Sequence, residues 1–456
     1  MECIIRANPT ILGILGNPAD TNAPRRITKH CIALPVAEGV LLFHTLTREM
    51  LLLDHSEAGA ALTSDDLFDH YFTVPEALEE RELVELVRWV RSTMARKNRK
   101  KRSYTILPTT DCNARCFYCY EKGCTKITMS PETAEKTAAH IIRQSEGNPV
   151  QLHWFGGEPM MNYPAIDIIC DTLRSAGVSF QSRMTSNGYL FDDALAVRAA
   201  NDWNLKKVQI TLDGTEAVYN RSKAYVDAKE SPYQRVLGNI GRLLDASISV
   251  VVRMNMGLHN REDLLALTRQ LETRFAGRKG LRAYVSLLFA PYTAHTRPQW
   301  EALYQALGRL NDALFSAGLA VSGARRLTRD LPIHYCMADS GNSELILPDG
   351  RIGLCEHHTD DEFIGHIDSP HREEAVIASW QERFEPLPEC AGCAHYPECM
   401  ELKKCSGRTA CFEQSRNYRR WKTEQAMEHE YLLWKASHDE TADAEPLQDA
   451  QFPEFC

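Results

Sequence analysis

The chain has 456 residues, of which 44% are hydrophobic and 25% are charged. This composition is typical of globular proteins and excludes a chain that is disordered throughout. At roughly 150 residues per domain, the length predicts two to four domains. The 52 basic and 61 acidic residues give a net charge of −9, which argues against nucleic acid as the main partner. The sequence contains no apolar run of about eighteen residues and no basic flank of a signal peptide, so we expect a cytoplasmic protein with no membrane partner.

The first hundred residues predict a small α+β domain over residues 1–96. Residues 27–55 are rich in apolar and β-branched side chains and contain a turn at Glu38-Gly39, which predicts a β-meander. Helical patterns follow over 64–72, where Ser64 is a suitable N-cap, and over 75–96. The basic run over 97–103 predicts a solvated linker to the next domain.

Strands then alternate with helices from residue 104 to about residue 291. This alternation predicts a parallel sheet with right-handed crossovers. The segment is shorter than the roughly 250 residues of a complete eight-stranded barrel, so the α/β fold we expect is a partial (β/α)6 TIM-like barrel over 104–320. The candidate strands are 104–110, 150–155, 179–186, 207–212, 248–256 and 281–289, and helices are expected to begin near Pro131, Pro164, Asp192, Pro232 and Glu262, with another over 297–317.

A Cys-rich segment follows, with a hairpin signal at Asp349-Gly350. A polar helix is predicted near 413–436. We expect a Cys-rich C-terminal domain over 321–436 and a loose acidic tail over 437–456.

The fifteen cysteines are the most informative feature of the composition. In a reducing compartment they predict metal ligation or redox chemistry instead of a disulfide framework. Cys112, Cys116 and Cys119 form a C-x3-C-x2-C motif directly after the first barrel strand. Three thiolates on a short loop can hold three irons of a cubane cluster and leave the fourth iron open. A zinc site completed by Cys124 is the alternative.

Further motifs lie at the ends of later strands. Residues 153–159 read HWFGGEP, residues 185–188 read TSNG, and residues 209–214 read QITLDG. The two glycines of the first motif allow close approach of a backbone, and the carboxylate of Glu158 can receive an ammonium group. Arg253 on the fifth strand can pair with a carboxylate.

In this combination the chain resembles the radical S-adenosylmethionine (SAM) enzymes, with Tyr118 as the aromatic residue before the last cysteine of the motif. The resemblance implies that Cys112, Cys116 and Cys119 hold a 4Fe-4S cluster. The QITLDG stretch departs from the family pattern by having Thr211 in place of serine. The residues that the resemblance assigns to SAM are Tyr118, Gly156, Gly157, Glu158, Ser186, Asn187, Asp213 and Arg253.

The resemblance also gives these SAM residues individual roles. Glu158 and the Gly156-Gly157 backbone would hold the amino group of SAM. The TSNG element would lie near the ribose and the carboxylate, and Arg253 would pair with that carboxylate.

Seven more cysteines follow the barrel, and their spacing resembles the SPASM extension with its two auxiliary 4Fe-4S clusters. Zinc knuckles are the alternative from ligand chemistry alone. The sequence departs from the usual pattern in a longer gap between Cys399 and Cys405 and in the short reach to Cys411. The resemblance assigns Cys390, Cys393, Cys399 and Cys411 to one cluster and Cys336, Cys355 and Cys405 to an inner one nearer the barrel mouth.

The inner auxiliary cluster has three obvious ligands, so either a remote residue completes it or one iron is open to a substrate thiolate. Glu356 follows Cys355 directly and is a candidate base that deprotonates substrate there. A solvated loop is the alternative for this segment.

The N-terminal unit resembles the winged-helix leader-recognition element of peptide maturases, in which a leader peptide adds a strand to a sheet edge. A plain capping domain is the alternative. The family resemblance implies an enzyme that uses a 5′-deoxyadenosyl radical to abstract hydrogen from a ribosomal precursor peptide and installs a cross-link, foremost a Cys thioether. The implied electron donor is a flavodoxin- or ferredoxin-type reductant.

Other reactions are compatible with the same motifs. A sulfatase-maturase-like oxidation of Cys or Ser to formylglycine is one. Carbon–carbon or ether cross-linking and epimerisation are others. A zinc-binding scaffold is the non-enzymatic alternative.

Overall fold

The computed structural model describes residues 1–15, 23–76, 85, 89, 103–226, 228, 230–288, 295–321, 325–328, 337–340, 342–357, 362–382, 385–396, 402–404, 411 and 413–438. Among these residues there is no helix that is long and apolar enough to cross a membrane. Several predictions made from the sequence fall outside the described residues: most of the helix over 75–96, the linker over 97–103, Cys336, Cys399, Cys405 and the tail from residue 439.

The centre of the fold is a nine-stranded, mostly parallel sheet flanked by helices. The predicted α/β class is therefore confirmed, and all six predicted strands are present in it. Three short strands from the C-terminal region extend the same sheet. In spatial order the strands are β12 (Leu281–Leu287), β11 (Ser249–Met256), β10 (Leu205–Thr211), β9 (Phe180–Ser186), β8 (Val150–Trp154), β7 (Ser103–Ile106), β13 (Ser343–Ile346), β14 (Arg351–Gly353) and β15 (Gly365–His366).

The helices between these strands begin where the sequence predicts them. Ser130 and Ser231 each accept a hydrogen bond from a backbone N–H of the first turn, and each precedes a proline that suits the first helical position. One helix, Glu216–Lys223, was not predicted. The flanking helices are Pro131–Ser145, Tyr163–Ser175, Asp193–Asn201, Pro232–Asp245, Arg261–Arg274 and Arg297–Ser316.

The parallel strands carry different side chains on their two faces. Val208 and Ile210 on β10 are fully buried within the main hydrophobic core. On the opposite face Lys207 pairs in register with Arg183 of β9, and Thr211 pairs with Arg253 of β11. Parallel strands are usually apolar on both faces, so this polar inner face is unusual and indicates a binding cavity.

The hairpin predicted at Asp349-Gly350 is confirmed, and it joins the C-terminal region to the barrel. Strand β13 pairs in parallel with β7, the first barrel strand. Glu344 of β13 is buried and accepts a 2.8 Å hydrogen bond from His140 Nε2 of the helix Pro131–Ser145. These contacts fix the position of Cys355, which follows β14.

The N-terminal residues form an antiparallel sheet with the order β1-β5-β4-β3. The predicted meander corresponds to β3, β4 and β5, and β1 adds a fourth strand that was not predicted. The predicted cap Ser64 accepts a hydrogen bond from the Leu67 N–H at the start of the helix Asp65–Asp69. The strands are β1 (Glu2–Ile5), β3 (Cys31–Val36), β4 (Gly39–His44) and β5 (Met50–Leu53), while β2 (Arg25–Ile27) pairs separately with β6 (Thr73–Pro75).

This N-terminal sheet shares a hydrophobic core with the C-terminal helix Glu413–His438. Leu41, Phe43 and Met50 pack in one buried cluster with Met427 and Tyr431 of that helix. The N-terminal unit is therefore packed against the C-terminal part of the chain in this structure. The domain boundaries themselves remain predictions.

Candidate active site

Cys112, Cys116 and Cys119 lie on the loop between β7 and the helix Pro131–Ser145. The loop is closed at its base, where the Thr110 N–H donates to the Ile127 carbonyl at 2.9 Å. The three thiols are near enough to interact electrostatically. Three thiols on one short loop are a donor set that a cubane cluster could use, because each thiolate would bind a separate iron. The cluster at these residues remains a prediction.

Gly156 and Gly157 lie directly against the cluster loop. A Cβ atom on Gly157 would be 2.2 Å from the Asp111 carbonyl oxygen, and one on Gly156 would be 2.4 Å from the Thr109 oxygen. Gly156 also has a φ of +110°, which side-chain-bearing residues rarely adopt. The pair therefore allows the loop backbone to cross close above β8. The Gly157 N–H donates to the Thr109 carbonyl at 3.2 Å, so the acceptors that the pair could offer to the amino group of SAM are its carbonyl oxygens.

Glu158 is completely buried and connects two of the predicted motifs. Its carboxylate accepts hydrogen bonds from Ser186 Oγ at 2.8 Å and from the Asn187 N–H at 2.7 Å. Burial raises its pKa to about 7, although these hydrogen bonds favour the ionised form. The Glu158 carboxylate thus positions the TSNG element, and its contact with the amino group of SAM stays a prediction.

Asn187 links the TSNG element to the cluster loop. Its side-chain amide donates to Asn113 Oδ1 at 2.6 Å, and its nitrogen is 3.9 Å from Cys112 Sγ. Asn113 was not predicted as a site residue because it lies in a spacer of the cysteine motif, where the motif specifies no residue. The contact places Ser186 and Asn187 beside the cluster loop, where the family resemblance assigns SAM.

Tyr118 and Asp213 meet a third residue, Lys223, in a buried network. The Tyr118 hydroxyl donates to Asp213 Oδ2 at 2.5 Å and accepts from Lys223 Nζ at 2.8 Å. Burial disfavours the ammonium of Lys223, but Asp213 and Tyr118 outweigh this effect and raise its pKa, so it is charged. Burial and Asp213 raise the pKa of Tyr118, which stays protonated. Within the described residues Asp213 Oδ1 has no hydrogen-bond donor, and its contact with SAM stays a prediction.

The polar inner face of the sheet supplies cations to the same cavity. Arg253 donates to Asn255 Oδ1 at 2.9 Å and to Ser286 Oγ at 3.1 Å, both uncharged partners. Its pairing with the carboxylate of SAM stays a prediction. Arg183 on β9, two strands closer to β8 than Arg253, is a further inner cation that could have been found from the strict alternation along β9.

Glu356 is near both arginines, at the end of the hairpin β13–β14. Burial raises its pKa, while the charges of Arg183 and Arg253 act in the opposite direction. Its neighbour His357 has its ring 4.1 Å from the ring of Tyr120, the residue that follows Cys119. The segment with Cys355 therefore lies at the barrel mouth beside the first cysteine loop.

Four of the seven C-terminal cysteines lie within the described residues. Cys390 and Cys393 are on the short helix Pro388–Gly392 and its end, and Cys390 is near enough to Cys411 for an electrostatic interaction. Cys355 follows β14 at the barrel mouth. The assignment of these cysteines to two auxiliary clusters remains a prediction.

The N-terminal sheet contacts the loop with Cys390 and Cys393. Thr45 Oγ1 donates to the Ala394 carbonyl at 2.6 Å, and Lys29 Nζ donates to the Ala391 carbonyl at 3.1 Å. The sequence did not predict these contacts, because no local pattern relates residues more than 300 positions apart. The contacts make the N-terminal unit part of the surroundings of the predicted outer cluster.

Residues 106–271 match the family model described as the Radical SAM superfamily. The chain is also similar to the probable GTP 3′,8-cyclase of Methanocaldococcus jannaschii, with 22% identity over 178 residues, which are 38% of this chain and 57% of that protein. The chain spans about half the length of the curated relatives it matches.

Two solved structures share the fold over most of the chain. Native anSMEcpe with bound AdoMet and Cp18Cys peptide has a TM-score of 0.55 and 14% identity, and the match covers 73% of this chain and 99% of that one. Streptococcus suis SuiB bound to precursor peptide SuiA has a TM-score of 0.50 and 13% identity, with coverages of 81% and 93%. At these identities the similarity concerns the fold alone.

Proposed function

Because the chain contains a radical SAM domain, we propose that it is a peptide maturase that installs an oxidative cross-link, foremost a Cys thioether, in a ribosomal precursor peptide. The observation that carries the proposal is the position of Cys355-Glu356-His357 at the barrel mouth, where His357 contacts Tyr120 of the first cysteine loop. A substrate residue in the cavity would then be close to both the radical source and the predicted inner cluster.

The bound cofactors would supply a 5′-deoxyadenosyl radical that abstracts hydrogen from the peptide. The residues of this chain would hold them in place. Cys112, Cys116 and Cys119 would ligate the first cluster. The Gly156-Gly157 backbone would contact the amino group of SAM, and Arg253 its carboxylate.

The peptide itself would be handled by different residues. Glu356, near Arg183 and Arg253, is the candidate base for the substrate thiol. The edge of the N-terminal sheet is the proposed binding site for the leader peptide. Two proteins of the same fold bind peptides, anSMEcpe and SuiB, which favours a peptide substrate here.

Forming the thioether removes two hydrogen atoms from the peptide. The deoxyadenosyl radical would take one of them from carbon, and the thiol would lose its proton to the candidate base Glu356, which leaves one electron to depart as the C–S bond forms. The predicted auxiliary clusters, with Cys355 at the mouth and Cys390, Cys393 and Cys411 further out, would accept that electron. A flavodoxin- or ferredoxin-type protein would reduce the first cluster. We also propose a cytoplasmic location, where such reductants occur.

The test is co-expression with a short Cys-containing peptide encoded beside the protein, followed by mass spectrometry. The expected product has lost two hydrogen atoms and one free thiol per modification, and a Cys112→Ala variant leaves the peptide unmodified. A peptide that is unchanged in mass and in free thiols would contradict the proposal. A product that loses hydrogen but keeps its thiols would indicate a carbon–carbon or ether cross-link instead.

A second candidate function is the oxidation of a protein Cys or Ser to formylglycine. The observation that favours it is the fold match to anSMEcpe, which covers 99% of that chain. The two functions differ in their need for a leader peptide. Activity on a short peptide without a leader, with an aldehyde in the product, would favour this second function.

A further inference from the structure

Lys223 ends the helix Glu216–Lys223 and is almost completely buried, at 4% exposure. A buried ammonium is costly unless it is paired and hydrogen-bonded. Lys223 meets both conditions, since its Nζ lies 3.4 Å from Asp213 Oδ2 and donates to the Tyr118 hydroxyl at 2.8 Å. The chain therefore retains a positive charge at a place where an apolar residue would be less costly.

Both spacers of the C-x3-C-x2-C motif are connected to this one residue. Arg115, in the first spacer, donates its N–H to the Lys223 carbonyl at 2.8 Å. Tyr118, in the second spacer, accepts the hydrogen bond from the Lys223 ammonium. A third contact nearby joins the Val226 N–H to the Asn113 carbonyl at 2.9 Å. Lys223 and Val226 thus bind the cluster loop on both sides of Cys116.

We propose that Lys223 is a positioning residue of the SAM-binding cluster, which fixes both spacers of the cysteine loop and places a buried positive charge beside Cys116. The charge stabilises the reduced cluster, which carries one more negative charge than the oxidised one. The step concerned is the gain of one electron from the external reductant, in which no bond is made or broken. The proposal goes beyond peptide modification and holds for any reaction of this domain.

The charge of Lys223 can be separated from its structural contact. The Tyr118 hydroxyl also donates directly to Asp213, so the ring keeps one hydrogen bond when the lysine is removed. Replacing Lys223 with an uncharged residue therefore removes its positive charge and leaves Asp213 as a buried carboxylate without its ion pair. Both changes make electron addition to a nearby cluster less favourable.

The test uses the full chain, reconstituted anaerobically with iron and sulfide. Electron paramagnetic resonance during a redox titration follows the cluster signal that changes on addition of SAM. In Lys223→Met we expect unchanged iron content and a reduced-to-oxidised ratio at least tenfold lower at a fixed potential, a shift of about 59 mV for a one-electron couple. Lys223→Arg should restore most of the ratio, and Lys206→Met, which removes an exposed lysine, should not change it.

Unchanged potential and SAM response in Lys223→Met would overturn the proposal. If that variant fails to bind iron, the double variant Asp213→Asn, Lys223→Met removes the unpaired carboxylate and takes its place in the titration. Because the double variant removes one positive and one negative charge, we expect its ratio to lie above that of a protein with the unpaired carboxylate and close to that of the wild type. The decisive neutral variant is then Lys223→Gln, whose amide can still donate to Asp213 without a charge: a tenfold lower ratio supports the role of the charge, and a wild-type ratio contradicts it.

Discussion

The barrel mouth and the junction between the N-terminal sheet and the C-terminal cysteines are assembled in opposite ways. At the mouth the residues of the SAM motifs follow the successive parallel strands β7 to β11, so their chain order and spatial order agree. The Cys355 segment joins them after β14, on the far side of β7. At the junction the contacts join residues far apart in sequence, such as Thr45 with Ala394 and Arg48 with Thr328. The comparison teaches that the fold itself positions the first site, whereas individual buried hydrogen bonds position the second.

The two regions also bury polar groups differently. At the mouth the buried carboxylates Glu158 and Asp213 accept hydrogen bonds from the Ser186 and Tyr118 hydroxyls, respectively, and each bond joins residues from two of the sequence motifs. At the junction a single turn, residues 44–49, is almost entirely buried although most of its side chains are polar. Arg48 in this turn donates to the Thr328 carbonyl at 2.8 Å and to the Thr45 carbonyl at 3.2 Å. The hydrogen bonds at the barrel mouth and at the junction involve different residues. Single substitutions can therefore test the two regions independently.

The largest effect is expected from removing a ligand at the barrel mouth. Cys112→Ala should lose the SAM-binding cluster and abolish formation of 5′-deoxyadenosine, because the cluster donates the electron that cleaves SAM. Iron analysis and chromatography of the reaction mixture measure both. Cys124→Ala removes an exposed cysteine of the same loop and should leave both unchanged. Loss of iron in the Cys124 variant as well would favour a four-ligand site.

A second substitution changes the loop without touching a ligand. Gly157→Ala places a methyl group 2.2 Å from the Asp111 carbonyl, so the loop must move. Misplacement of this order lowers rates by about 100-fold, and we expect SAM cleavage to fall by that factor. Gly241→Ala is the control, because nothing lies within 4 Å of its added methyl group and the residue is helical. Equal activity of the two variants would show that the close crossing is unimportant.

At the junction we expect loss of stability. Thr45→Val leaves the Ala394 carbonyl without its donor and should lower the free energy of unfolding by about 1–3 kcal/mol. Thr47→Val is a matched control two residues away. The Thr47 hydroxyl is buried and has no hydrogen-bond partner among the described residues, so its loss should be neutral or stabilising. Thermal unfolding of the two variants measures the difference, and equal midpoints would contradict this account of the junction.

The smallest effect concerns acid stability at the junction. Burial, and then the charge of Lys29, lower the pKa of His30 to about 3 from its usual 6.5. The unfolded chain therefore binds a proton between these values that the folded chain does not, and stability falls as pH drops below 6.5. At pH 5 the loss is about 2 kcal/mol at most. His30→Gln should flatten the pH dependence of the free energy of unfolding, and His55→Gln, at an exposed position, should leave it unchanged. Parallel pH profiles for His30→Gln and the wild type would refute the role of His30 in acid stability.

The sequence predicts the barrel and its motifs well, because strand periodicity, helix caps and the position of motifs after strands are local signals. Ser130 and Ser231 illustrate this, since each begins a helix at the expected residue. Lys223 carries no such signal, because a lysine in a polar helix is usually solvated. The partnership of Glu344 with His140, 204 residues apart, likewise depends on packing and not on local pattern.

The central claim is most directly tested by iron analysis and SAM cleavage on the same anaerobically purified protein. We predict a brown protein with about twelve irons per chain, for three cubane clusters, that forms 5′-deoxyadenosine when a reductant is added. About four irons per chain with the same activity would support the SAM-binding cluster and contradict the two auxiliary clusters. A colourless protein that contains zinc and forms no 5′-deoxyadenosine would contradict the account.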